Sequence, residues 1–168
     1  TLPARTELAR KSQIAEQSIR NKDQLLNLIE TGDINDPTFA TLAESLPLNL
    51  GKRMLSEDTL RYKAGLVEEY NDLKNIFQGA TRVSEINILE SKIADIYLTN
   101  DQKKALLRSR INAEKAHIIR AEAATKLEDR DDLGILQFNA EVEKLARPEL
   151  DKLFNQILEE HKGIIDSA

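Results

Sequence analysis

Apolar residues in this chain recur at steps of three and four, and no segment alternates apolar and polar residues long enough to make a strand. Ile86, Leu89, Ile93 and Ile96 show the spacing most plainly, and Leu66, Val67, Tyr70, Leu73 and Phe77 carry it over another run. Residues three and four apart share one face of an α-helix, whereas a half-buried strand needs period two. The pattern therefore predicts an all-α fold of six to seven amphipathic helices in an irregular bundle. With 40% hydrophobic residues but only 4% aromatics, no Trp and one Met, the core must be built from Leu, Ile, Val and Ala. That palette suits helices.

The 168 residues are expected to form a single helical domain, or a segment of a larger protein, since the chain opens on Thr1 rather than Met. Residues 1–31 read as one long N-terminal helix with Pro3 in its first turn, and residues 37–168 as the bundle. The apolar stripe in the middle of the first helix, Ile14, Ala15 and Ile19, is thin. Such a stripe packs on one face only, so Ile14 and Ile19 are the candidates for packing against a partner helix in trans.

Gly32 ends the first helix and Asp36-Pro37 starts the next, a stop and a start with ordinary capping chemistry. Similar corners are read at Gly79 with Ser84 and at Gly163 with Asp166. Between them the periodicity predicts a short helix over residues 37–46, a helix from Ser56 to about Gln78, one from Ser84, and one opened by a Thr99–Gln102 capping box. The last helices run from Leu133 to about His161, with Pro148 as a kink or a restart.

Several chemistries are excluded or disfavoured. Without Cys there is no disulfide, no thiolate nucleophile and no Cys-ligated zinc. Asp129, Asp131 and Gly134 fall at the first, third and sixth positions of a calcium loop, but Leu133 and Ala140 occupy two positions that must supply oxygen. His117 and His161 lack partners at metal-ligand spacing and read as surface or partly buried side chains. Glu44-Ser45 and Glu90-Ser91 resemble the catalytic dipeptide of lytic transglycosylases without its glycine-rich companions. No enzymatic activity, metal or cofactor is expected. The longest apolar runs are far shorter than the roughly 20 residues of a membrane-spanning helix, so no transmembrane segment is expected.

Residues 102–126 stand apart, with seven Lys and Arg against Glu114 and Glu122, in a chain whose net charge is −5. Lys104, Arg108 and Lys115 share a face there and are the candidate contacts for an anionic partner, DNA included. The plainer reading is a solvated face balanced by the acidic stretch from Asp131 to Ala168, which holds nine acids and four bases.

The stretches "IETGDINDPTFATLAE" and "RVSEINILESKIADIYLTNDQKKALL", helix ends followed by short capped helices, resemble the helical stretches of large internal virion or DNA-ejection proteins of tailed phages. That resemblance implies a non-enzymatic structural role in a virion, with homo-oligomeric or multi-subunit packing and contact with DNA. From the residues alone, the expectation is a structural or interaction module of a larger assembly. The alternative is a helical adaptor or effector, soluble inside a cell, that binds a partner protein through an amphipathic groove.

Overall fold

The computed structural model describes residues 2–31, 63–93 and 100–167, and among them every regular element is a helix. These are α1 (Leu2–Thr31), α2 (Lys63–Ile76), α3 (Ala80–Ile93), α4 (Asn100–Thr125) and α5 (Ile135–Asp166). The all-α expectation holds. The count does not: the described residues form five helices rather than six or seven. The corner at residues 32–37, the short helix 37–46 and Thr99 lie outside the described residues.

One cause of the lower count is Pro148. It sits inside α5, which continues through it as a single helix of 32 residues instead of restarting. Proline removes one backbone donor and leaves the carbonyl four residues back without a partner. Both Pro148 and Lys144 are exposed, so water can serve that carbonyl. Gly163 is likewise inside α5; the helix closes only at Ser167, whose N–H donates to the Gly163 carbonyl. Gly79 behaves as the sequence suggests, with φ at +116° between α2 and α3. However, α3 opens directly after it at Ala80, earlier than the expected start at Ser84.

α4 is the central element, packed on one side by α1 and on the other by α5. Its buried residues reflect this position: Leu106, Leu107 and Ile111, then Ala113, Ala116, Ala123 and Ala124, on more than one face. Alanines at a helix contact let the two backbones approach closely while burying little side-chain volume. Named contacts fix the directions. α1 runs antiparallel to α4, from Arg5 beside the Ala124 and Leu127 carbonyls to Glu30 beside Arg108. α5 also runs antiparallel to α4, from Glu143 at Arg120 to His161 at Ser109 and Ile164 at Gln102.

α2 and α3 form an antiparallel pair on the α4–α5 face, joined by Lys74–Glu90 and anchored to α5 through Arg82 and Asp151. The core runs through this junction: Tyr70 and Leu73 from α2 with Phe77 just after it, Ile86, Leu89 and Ile93 from α3, and Leu150, Phe154 and Ile157 from α5. Phe77 and Phe154 meet with ring centroids 5.2 Å apart. Of the apolar stripes read from the sequence, Tyr70, Leu73 and Phe77 and then Ile86, Leu89 and Ile93 pack here; Ile96 and the side chains of Leu66 and Val67 lie outside the described residues.

Candidate functional site

Of the anionic-partner candidates, Lys104 and Arg108 lie one turn apart on α4, with Lys115 about two turns further on. Each is already engaged. Lys104 Nζ is 3.8 Å from Asp101, Arg108 Nη2 donates to Glu30 at 2.8 Å, and Lys115 Nζ donates to Asn112 Oδ1 at 3.1 Å. Beside Arg108 and Lys115 is Glu160, in an open depression with Asn112, Gln156 and Glu159. Burial raises the Glu160 carboxyl above its ordinary range, opposed by its hydrogen bond from Asn112 and by the charges of Arg108 and Lys115. Two other cations of α4 are structural. Arg110 pairs with Asp72 at 3.0 Å, and Arg120 donates to Glu143 at 2.5 Å and to the Ile76 carbonyl at 2.6 Å.

On α1, Ala15 is buried against the bundle, Ile19 is half-buried, and Ile14 is 55% exposed. α1 is held within the chain by more than its apolar stripe. Lys22 and Glu114, both buried, pair at 3.0 Å, and Ser18 Oγ donates to the same carboxylate oxygen at 3.0 Å. Lys22 also donates to Ser18. Arg5 lies over the Phe138 ring at 4.7 Å while donating to the Ala124 carbonyl at the end of α4 and to the Leu127 carbonyl just beyond it. A guanidinium at a helix C-terminus meets the negative end of the helix dipole.

The sequence reading missed one polar cluster. His161 is 1% exposed, not at the surface, and both ring nitrogens are satisfied. Tyr70 Oη lies 2.7 Å from Nδ1 and Ser109 Oγ lies 2.7 Å from Nε2, so one imidazole joins α2, α4 and α5. A neutral ring donates through one nitrogen and accepts at the other, and hydroxyls on both sides accommodate either tautomer. Burial alone lowers its pKa to about 4. A signal was available: His161 stands four residues after Ile157 and three before Ile164, on the apolar stripe of α5. Ser109 and His161 have the separation of a nucleophile and its base. Both are buried, together with Tyr70, so here they make an internal hydrogen bond and not a surface on which a substrate could sit.

Two surface features remain. A groove of about 240 Å³ between α3 and the end of α5 has Ile88, Leu89, Leu158 and Ile165 along it, with Lys92 and Lys162 among its polar residues. At the opposite end of α5, beside the α4–α5 corner, Leu2, Ile135 and Leu136 are 73%, 52% and 85% exposed. Among the described residues no cluster of His, Asp and Glu is placed to hold a metal, and no helix is long and apolar enough to cross a membrane.

Compared with known proteins, the chain matches no family model, and no curated protein or solved structure is significantly similar to it.

Proposed function

We propose that this chain is a non-enzymatic structural and interaction module that takes its place in a multi-subunit assembly. The observation that carries this reading is the set of large aliphatic side chains left in water beside a well-filled core. Ile14 is exposed at the margin of the α1 face that packs on α4, and Leu2, Ile135 and Leu136 are exposed at one end of the bundle. Scattered exposed apolar residues are ordinary, but grouped ones mark contact surfaces.

Light scattering across protein concentration tests it. The intact chain should exceed the mass of a monomer, and Ile14→Asp with Ile19→Asp should lower that mass while circular dichroism stays helical. A concentration-independent monomer for the intact chain removes self-assembly from the proposal.

The finer form, a tailed-phage virion or DNA-ejection component with Lys104, Arg108 and Lys115 on DNA, is supported by the sequence resemblance. Its test uses the ion pair that occupies Arg108. Glu30→Gln frees the guanidinium and should strengthen duplex binding, while Arg108→Ala should weaken it and reduce the salt slope by about one. Affinity that is independent of salt would refute DNA contact. A second reading, the adaptor with an amphipathic groove, is favoured by the α3–α5 groove and its apolar Ile88 and Leu158. For an adaptor, Ile88→Asp should abolish capture of its partner and leave the mass of the free chain unchanged.

A further inference from the structure

Arg5 brings the start of α1 to the α4–α5 corner, because its guanidinium bonds the Leu127 carbonyl and covers the Phe138 ring. Leu2 therefore lies at the same end of the bundle as Ile135 and Leu136, and all three are exposed. The turn that joins α4 to α5 runs beside them as "KLEDRDD", with four carboxylates against two cations. Arg130 is committed to Asp132, which it grips through Nε at 2.9 Å and Nη2 at 3.1 Å. Asp129 and Asp131 remain exposed beside the apolar residues.

That charge selects among occupants. A nucleic acid or an anionic lipid surface would be repelled by the turn. A second copy docked tip to tip would bring together two copies of the same net-acidic turn. What the surface complements is apolar side chains flanked by positive charge. We infer that the α4–α5 corner, with Leu2, Ile135 and Leu136 at its centre and Asp129 and Asp131 at its rim, docks a cationic amphipathic helix of another protein. The inference rests on the interaction-module reading but not on self-assembly, and it names the chemistry of one partner. Apolar contacts would supply the affinity, and the rim would supply steering and orientation.

The probe is a leucine–lysine peptide of roughly 18 residues, about five turns of amphipathic helix, titrated against the full chain by fluorescence anisotropy. A leucine–glutamate peptide of the same pattern serves as its counterpart. The cationic peptide should bind and the anionic one should not. Ile135→Ser with Leu136→Ser should weaken binding by roughly tenfold, as loss of a central apolar anchor does. Asp129→Lys with Asp131→Lys should weaken it at low salt and less so at high salt. Glu159→Lys with Asp166→Lys, the same charge change at the other end of α5, should leave it nearly intact.

Equal weakening by both charge-reversed pairs would reduce the binding to general attraction for an acidic protein and overturn the site. So would indifference to the serine variant, or failure of the cationic peptide to bind. Self-association that disappears in the serine variant, without peptide binding, would assign the corner to a second copy. Peptide binding by a chain that stays monomeric alone would keep this site while removing self-assembly.

Discussion

Acidification should unlatch the junction of α2, α4 and α5 through His161. In the unfolded chain this imidazole takes up a proton as pH falls through 6.5, its ordinary value, but in the folded protein only at about 4. Between those values the unfolded chain holds more protons, so folding stability falls as pH falls. The contribution of the neutral ring is intact above 6.5, shrinks through the window and is exhausted below 4. At about 1.4 kcal/mol per pKa unit, the full difference is worth ~3 kcal/mol, of which ~2.5 kcal/mol is lost by about pH 4.5. The cause is the cost of a cation in a dry core, not a broken hydrogen bond. Both hydroxyls could accept from an imidazolium, but burial is what lowers its pKa.

Other groups titrate over the same range, and a difference measurement removes them. Burial raises Glu160, which favours the folded state in acid and so opposes His161. His117 is lowered by burial and then by Arg120, and works in the same direction as His161. Exposed Glu7 and Asp132, lowered chiefly by Arg10 and Arg130, lose their pairing as they protonate. All are shared with His161→Gln, which keeps a donor and an acceptor and cannot gain the charge. Urea unfolding followed by circular dichroism, at about pH 7 and about pH 4.5, should show the native chain losing ~2.5 kcal/mol more than the variant. Equal losses in the two chains would refute the reasoning.

Lys22→Met should cost about 2 kcal/mol because it takes the nearest cation from the buried Glu114 carboxylate and leaves it Arg110 at 3.7 Å, and Lys22→Met with Glu114→Leu should recover part of that loss. Chemical denaturation of the three chains checks it, and additive losses would mean that the pair is not what holds α1 to α4. Gly79→Ala forces an L side chain to φ +116° although its Cβ meets nothing within 4 Å, so the loss is purely conformational, about 1–2 kcal/mol. A melting temperature unchanged within about 2 °C would contradict it. Replacing the whole polar cluster, Tyr70→Phe with Ser109→Ala and His161→Leu, should hold stability within about 2 kcal/mol while broadening amide resonances in α2 and α5. Sharp, singly dispersed resonances would show that the cluster does not fix the packing.

The sequence made much of this fold legible because helix-forming stripes declare themselves locally. Ile86, Leu89 and Ile93 pack where their spacing says, and Gly79 adopts the positive φ its corner required. What it concealed depends on neighbours distant in sequence. Pro148 reads as a break, yet its tolerance is decided by an exposed face that only the packed bundle defines. α4 reads as a basic helix. Its three arginines Arg108, Arg110 and Arg120 pair instead with Glu30, Asp72 and Glu143 from three other helices, because α4 is packed on more than one side. His161 was overlooked because a histidine is polar by type, although its position three residues before Ile164 is apolar by register.

The two buried polar clusters also answer a problem that the apolar core creates. α4 meets its neighbours largely through alanines, and a helix that presents small, similar side chains can slide by a turn with little change in buried area. Leu, Ile and Ala contacts alone would leave several registers close in energy. A one-turn shift of α5 would carry His161 about 5.4 Å from Ser109 and Tyr70, well beyond hydrogen-bond reach. The same shift of α1 would separate Lys22 from Glu114, leaving the lysine charge without its partner and the carboxylate with Arg110 alone. Each misregister therefore costs several kcal/mol that the native register does not. On this argument α4 carries Glu114 toward α1 and Ser109 toward α2 and α5 so that a core of interchangeable aliphatic contacts settles into one arrangement. Ile14 and the α4–α5 corner then stand at fixed positions on the outside, as the proposed interaction role requires.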